Sequence, residues 1–552
     1  MPIKLIVKFD QPIDTVTSKG VRSSSIVPSQ TNETIGIVDV AINGEKEWDE
    51  AHKYLNKEDN VSFAEPDIDS TLSFFSPEAL EAQRKITEIK YDTFINDWPA
   101  PDKPEVWHIA DNFSGLKAAR EEIHGLEDKK KIRIVHLDTG YDEEHLSYPK
   151  ELINLKLSRS FVEGEDLYNA EDRFSDGMLS NPGHGTGTLS LLAGNKMKIA
   201  GCIDFEDYVG LEEAIEIVPI RIAKSVVLFK SAAFVEAMNY IINDLNSNEE
   251  TKVHVITMSM GGLASRAWAD VVNKAYDQGI FMVTAAGNNF LKLPTNRLIF
   301  PARFNRVVAA CGVTYDLSPY VKPLGHGGLH LMEGNHGPRS LMKTALAAFT
   351  PNVPWAIWKQ KSLFGIRGDG TSSATPQIAA AAALYYSKYY KDLEKLSEPY
   401  MIVEAIRYAL FESASKSISG KKMDYRDYFG NGILNARKAL NMEVPDEKVL
   451  KERKQKKDSV FLPFIRLIFG FKKFGSPEDE KEQIQDDMLE TELMQLSLSD
   501  PEIQKLLDKP DSDSITWMNK EQQKELALLV MKNLKASNAL KEKMQEVLQF
   551  IE

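Results

Sequence analysis

Three short segments hold residues that could do chemistry together: Asp138-Thr139-Gly140, His184-Gly185-Thr186 and Gly370-Thr371-Ser372-Ser373-Ala374-Thr375-Pro376. A hydroxyl is a weak nucleophile until a base takes its proton. An imidazole acts as that base when a carboxylate holds its tautomer and orientation. Asp138, His184 and Ser372 therefore supply, in one chain, the parts of a nucleophilic hydrolysis. Taken singly, Ser372 reads as a helix cap and Asp138 as a turn residue. Their joint occurrence gives the combination its weight.

These residues need a frame. Between 131 and 442 apolar stretches alternate with helical ones. Residues 132–137, 215–222, 253–258, 280–285 and 306–313 read as buried strands, and 231–245 and 266–278 as helices between them. That alternation predicts an α/β fold: a doubly wound, mainly parallel sheet with helices on both faces. Chemistry in such sheets sits beyond the carboxyl ends of the strands. Asp138, Ser259-Met260-Gly261 and Asn288 each follow one of these strands. Ser372 precedes a helix over 374–386, where Gly370 and Pro376 suit a tight turn into the first helical turn.

The flanks differ in character. Residues 1–70 read as a small α+β unit. Ile3, Leu5, Val7 and Phe9 alternate with Lys4 and Lys8, as a half-buried strand should. Strands at 34–42 and 61–68 and a polar helix at 45–56 complete it, with Asn43-Gly44 as a break. A mostly helical connector at 71–130 is interrupted by Pro99, Pro101 and Pro104. Residues 443–475 carry a basic run at 451–457 and an apolar stretch at 459–474. Residues 476–552 are acid-rich and helical in pattern.

Bulk properties exclude several classes. At 552 residues more than one domain is expected. A net charge of -14 offers no electrostatic footprint for nucleic acid, so none is expected as a partner. No stretch reaches the ~18 apolar residues of a membrane span, and residues 1–10 do not read as a secretory signal. Cys202 and Cys311 alone cannot make a disulfide framework and read as buried small hydrophobes. A cytoplasmic, intracellular protein is expected.

In the wording and order of its segments the chain resembles the subtilase (subtilisin-like) serine peptidases. Met258-Ser259-Met260-Gly261-Gly262 is similar to the family's substrate strand, and Ala285-Ala286-Gly287-Asn288 to its oxyanion motif. Phe300-Pro301-Ala302-Arg303-Phe304 with Val307-Val308-Ala309, Asn335-His336-Gly337-Pro338, and Tyr428-Phe429-Gly430-Asn431-Gly432 follow in family order. The resemblance implies a serine endopeptidase acting on protein or peptide substrates. Ser372 would be the nucleophile, His184 the base and Asp138 its orienter. Asn288 and the Ser372 backbone N–H would bind the oxyanion. Ser259, Met260 and Gly261 would pair with an extended peptide, and Ala286, Gly287 and Ile299 would line the P1 pocket. Residues 284–287 are uncharged, and Ile299 stands where relatives often have glycine. A shallow apolar pocket for small or medium side chains is therefore expected.

Departures from the family pattern carry expectations too. The run after His184 lacks the usual second histidine. The 195–199 loop looks shortened where many relatives wrap calcium, and the ~6–8 oxygen ligands of that ion cannot be assembled there. No metal and no cofactor are expected. His108, His136, His145 and His254 read as structural or solvated. Val61-Ser62-Phe63-Ala64-Glu65-Pro66-Asp67 is similar to the last strand of the family's inhibitory pro-domains. That implies self-cleavage or retained inhibition near 72–76, the alternative being a permanently attached docking domain. The 459–474 stretch and the C-terminal helices are candidates for a membrane surface or a partner protein, with burial against this chain the favoured reading of the former. The competing reading of the whole is a catalytically silent peptide-binding or scaffold protein.

Overall fold

The computed structural model describes residues 3–13, 21–23, 34–41, 46–68, 98–99, 102, 106–173, 182–199, 205–211, 214–226, 228–289, 295–321, 332–420, 423–460, 477–507 and 518–551. The N-terminal unit has strands β1 (Ile3–Phe9), β2 (Val21–Ser23), β3 (Ile35–Val40) and β4 (Val61–Pro66), with helix α1 (Glu47–Lys57) between the last two. The sheet order is β2-β3-β1-β4, and β1 lies antiparallel to both neighbours. The alternation in β1 places Leu5, Val7 and Phe9 in the unit's core with Trp48 and Leu55 of α1.

Seven strands make the main sheet: β5 (Ile132–Asp138), β6 (Arg159–Ser160), β7 (Ile215–Arg221), β8 (Val255–Met258), β9 (Phe281–Ala285), β10 (Val308–Val313) and β11 (Ala345–Phe349). Their order is β11-β10-β9-β8-β5-β7-β6, and every pairing is parallel. The central strands are buried on both faces, which is why they read as continuous apolar runs. Helices α2 (His184–Ala193), α3 (Ser231–Asn239), α4 (Arg266–Asp277) and α5 (Thr371–Leu393) cover the two faces. Beneath the sheet, α5 packs on β8, β9, β10 and β11, its buried alanines Ala379 to Ala383 allowing close approach. The doubly wound α/β fold is the one the alternation predicts.

The differences are local. The predicted helix at 231–245 is α3 continued through a π-turn at Tyr240–Asp244 and a 3-10 turn at Leu245–Ser247. Strand β11 was not predicted: its alanine-rich ALAAF run carries little strand propensity, and tertiary burial decides it. Residues Lys196–Ile199, expected as a loop, pair as a hairpin strand with Phe205–Tyr208.

The second core runs without a break from α3 and α4 into Ile6, Ile35 and Ile37 of the N-terminal sheet. It continues into the C-terminal helices α6 (Pro477–Ser499), α7 (Pro501–Leu507), α8 (Lys520–Lys532) and α9 (Asn538–Ile551). Within the basic region, Glu447–Arg453 is a helix. The Asp458 carboxylate beyond it accepts from the Asn305 and Arg306 backbone N–H groups at 2.7 and 2.9 Å. Asn43-Gly44, the expected cleavage point at 72–76, Cys202, and all but the start of the 459–474 stretch lie outside the described residues. Among the described residues no helix is long and apolar enough to cross a membrane.

Candidate active site

Asp138 ends β5, and its side chain is wholly buried. Oδ1 lies 2.7 Å from His184 Nδ1 and accepts the Thr139 backbone N–H at 2.8 Å. Burial alone would raise this carboxyl. The charge and hydrogen bond of His184, with help from His136 and the Thr139 N–H, outweigh burial and hold it below the usual carboxylate range. A carboxylate bound at Nδ1 fixes the N–H there and leaves Nε2 as the nitrogen able to accept a proton.

His184 opens α2, and a polar network ties that helix end to β5. The Asp172 Oδ2 accepts from Gly183 N–H at 2.8 Å and from the Thr139 hydroxyl at 2.9 Å. Gly185 N–H donates to Thr139 Oγ1 at 3.0 Å. Arg221, at the end of β7 and fully buried, donates to the Thr139 carbonyl and to Asp172, and holds Glu165 at 2.7 Å. Neither Asp172 nor Arg221 stands out in the sequence, and Thr139 enters only within the Asp138-Thr139-Gly140 segment. The signal available was an arginine set inside the mostly apolar run 215–222, since a buried charge demands partners. In the run that lacks a second histidine, Gly187 has no room for a side chain: a Cβ there would lie 1.9 Å from Cε2 of Trp355. The Trp355 ring takes that space and meets the His184 ring edge-on, 5.7 Å between centroids.

Ser372 lies in the first turn of α5, which packs along α2. Its hydroxyl donates to the Ser259 carbonyl at 3.0 Å, and the Ser259 hydroxyl donates back to the Ser372 carbonyl at 3.0 Å. In the resting chain the serine proton thus points at the strand-end segment after β8 rather than at the imidazole. Asn288 follows β9. Its Oδ1 accepts the Thr371 N–H at 2.9 Å, which fixes the amide and leaves Nδ2 as its donor end. The Ser373 N–H donates to Gly370 O at 3.1 Å. The helix start therefore presents the N–H of Ser372 between two engaged neighbours, one of the orphan donors of a helix N-terminus.

Ser259 and Met260 are buried, and Gly261 is partly exposed. A Cβ on Gly261 would lie 2.4 Å from Ile299 Cδ1, and one on Gly287 3.0 Å from the same atom. The Ile299 side chain thus spans the space between the two glycine segments, while Ala286 is fully buried behind them. His108, His136, His145 and His254 are all buried, so none is solvated. His136 lies next to the Asp138–His184 pair. Among the described residues no group of three or more His, Cys, Asp and Glu side chains could hold a metal ion.

A model of the Subtilase family matches residues 129–435, more than half of the chain. The chain is 27% identical over 326 residues to the Major intracellular serine protease of Bacillus subtilis (strain 168), an alignment covering 58% of this chain and 89% of that one. It is 24% identical over 326 residues to Subtilisin DY of Bacillus licheniformis, covering 59% of this chain and 96% of the relative. Over 316 residues it is 24% identical to Subtilisin E of Bacillus subtilis (strain 168), covering 56% and 69%. With the parallel sheet and the helix-borne His184 and Ser372 already described, the chain belongs to the subtilase family and is a subtilisin-like serine peptidase.

Proposed function

We propose that the chain is a serine endopeptidase in which Asp138, His184 and Ser372 act as a triad, with Asn288 Nδ2 and the Ser372 N–H as oxyanion donors. The observation that carries this reading is the buried 2.7 Å contact between Asp138 Oδ1 and His184 Nδ1. An extended peptide lies along Ser259 to Gly261, its P1 side chain against Ala286, Gly287 and Ile299. The Ser372 proton turns from the Ser259 carbonyl to His184 Nε2 as Oγ attacks the scissile carbon. The new oxyanion is met by the two donors. The imidazolium, stabilised by Asp138, then protonates the leaving amine, and water repeats the sequence to free the acid. Similarity to an intracellular Bacillus protease supports action inside a cell.

Regulation by the flanks is part of the same proposal. In their described residues, the N-terminal unit (1–70) and the C-terminal region (476–552) pack on each other and on the peptidase domain (131–442). Met488 of α6 is fully buried in the N-terminal unit's own core. Gln495 accepts the Trp48 indole N–H at 2.9 Å and donates to Ala264 O at 2.7 Å, bridging all three parts. Asp487 pairs with Arg266 at 2.8 Å.

The deciding experiment is labelling of the full chain by a serine-directed fluorophosphonate, paired with hydrolysis of a peptide substrate. Both are expected in the native chain and neither in Ser372→Ala. A native chain that folds yet takes no label and cuts no peptide would mark a silent, peptide-holding protein instead.

A further inference from the structure

Asp138 has a second oxygen, and its surroundings are unusual for a buried carboxylate. Oδ2 faces the Thr188 hydroxyl at 3.1 Å. Thr188 sits one turn after His184 in α2, so its hydroxyl has two competing acceptors, the His184 and Gly185 carbonyls, each 3.2 Å away. A helical threonine commonly turns its proton to such a carbonyl. Here a further group intervenes. His136 Nε2 lies 2.8 Å from Thr188 Oγ1, and 3.9 Å from Asp138 Oδ2 itself. His136 stands two residues before Asp138 on β5, so both side chains leave the same face of the strand.

We infer that His136, acting through Thr188, is a positioning residue for the Asp138 carboxylate, a role that rests on the triad reading above. The donor order settles the roles. His136 carries its proton on Nε2 and gives it to Thr188 Oγ1, and Thr188 gives its own to Oδ2. The opposite tautomer would bury an N–H at Nδ1, which has no hydrogen-bond partner among the described residues. An unmet buried donor costs more than an unmet lone pair. Burial holds the His136 ring below the ordinary histidine range and so neutral, although Asp138 pulls it upward; His184 is the other titratable group acting on it and pushes it down. A donation into Oγ1 also polarises the threonine O–H toward the carboxylate. Oδ1 is then left to His184 and Oδ2 is held by the relay, so the carboxylate cannot turn about its own axis.

Replacing the ring by an apolar group frees Thr188 to bond its own helix and leaves Oδ2 bare. Two readouts follow for the full chain acting on a chromogenic peptide, normalised by fluorophosphonate titration of Ser372. In His136→Leu, kcat falls roughly tenfold with KM little changed, the usual scale for a lost hydrogen bond to a charged group. A carboxylate with fewer donors favours the imidazolium more, so the acid limb of kcat/KM against pH moves up by about half a unit. Thr188→Val, which keeps the shape and removes the hydroxyl, gives the same pair of effects. The double variant is no worse than either single one, because the two residues act in one relay. His136→Gln, whose amide can donate near the Nε2 position, recovers most of the loss and restores the limb. An unmoved acid limb in both single variants, or His136→Gln no better than His136→Leu, overturns the inference. Should His136→Leu fail to fold, Thr188→Val carries the pH comparison alone. Ser372→Ala run alongside separates the two levels: if it retained native turnover, the triad reading itself would fall.

Discussion

The hydroxyl of Ser372 and the carbonyl of Ser259 lie 3.0 Å apart, and the side chain of Ser259 returns the bond to the carbonyl of Ser372 at 3.0 Å. The residue that would attack a peptide and the segment that would hold it are thus locked to each other in the resting chain. Ser259→Ala removes one of these bonds and leaves a carbonyl of α5 unmet. A loss of about 1 kcal/mol in stability is expected, with a several-fold lower kcat. Chemical denaturation and steady-state kinetics on the same preparation check both.

Asn288 has two jobs that can be pulled apart. Its Oδ1 anchors the start of α5 through the Thr371 N–H. Its Nδ2 is the proposed oxyanion donor. Asn288→Ala should lose both, with kcat down ~10²–10³-fold and KM nearly unchanged. Asn288→Asp keeps the acceptor and removes the donor, so its melting temperature should stay near the native value while kcat falls as far. Equal kcat in Asn288→Asp and the native chain would remove Asn288 from the oxyanion site.

Ile299 lies against both Gly261 and Gly287, and in the proposed P1 pocket it would set the depth. A P1-varied peptide library should show small and medium apolar side chains preferred. Ile299→Gly should shift the preference toward Phe and Tyr by one or two orders of magnitude in kcat/KM, the scale of a large apolar group gaining a pocket. A native preference for Lys or Arg would count against this pocket.

The N-terminal unit should hold more tightly as pH falls. Glu65 caps α4, accepting from the Ser265 hydroxyl and from the Arg266 and Ala267 N–H groups at 2.9 and 3.2 Å. Burial nevertheless pushes its carboxyl up from 4.5 to about 7. Asp67, which accepts the Ala232 N–H, moves the same way, to about 6. A carboxyl raised in the docked state favours docking fully below its free value. The advantage is lost as pH rises from about 4.5 through about 7. For Glu65 it is on the order of 3 kcal/mol. Amide protection factors in β1 and β3 of Ser372→Ala, corrected for the intrinsic rise of exchange with pH, should therefore fall as pH rises from about 4.5 to about 7, and Glu65→Gln should flatten that fall.

Met488 tests the same packing from the other side. It is a C-terminal residue with no exposed surface, seated among Trp48, Leu55 and Phe63 of the N-terminal unit. Met488→Asp places a carboxylate there and should cost several kcal/mol at that contact. Limited proteolysis should then nick residues 1–68 at least tenfold faster, with turnover of a peptide substrate rising if the unit inhibits. Unchanged nicking would mean that α6 does not retain the unit.

Reading along the chain was enough for the alternation of apolar strands and helices, and for the types and order of Asp138, His184, Ser372 and Asn288. Both signals are local: burial on two faces leaves a continuous apolar run, and a tight turn before a helix leaves its glycine and proline. The alanine-rich β11 escaped because its residues favour no strand by themselves. Other features were settled by folding, where partners meet from far apart. Ser372 finds Ser259 across 113 positions and Arg221 finds Thr139 across 82. His136 read as structural or solvated because Thr188, 52 residues away, is not visible from the strand that carries it. The run after His184 read as a departure because the tryptophan that fills the space beside Gly187 lies in another element. A motif records which groups are present; close packing decides which of them touch, and hence which proton each one holds.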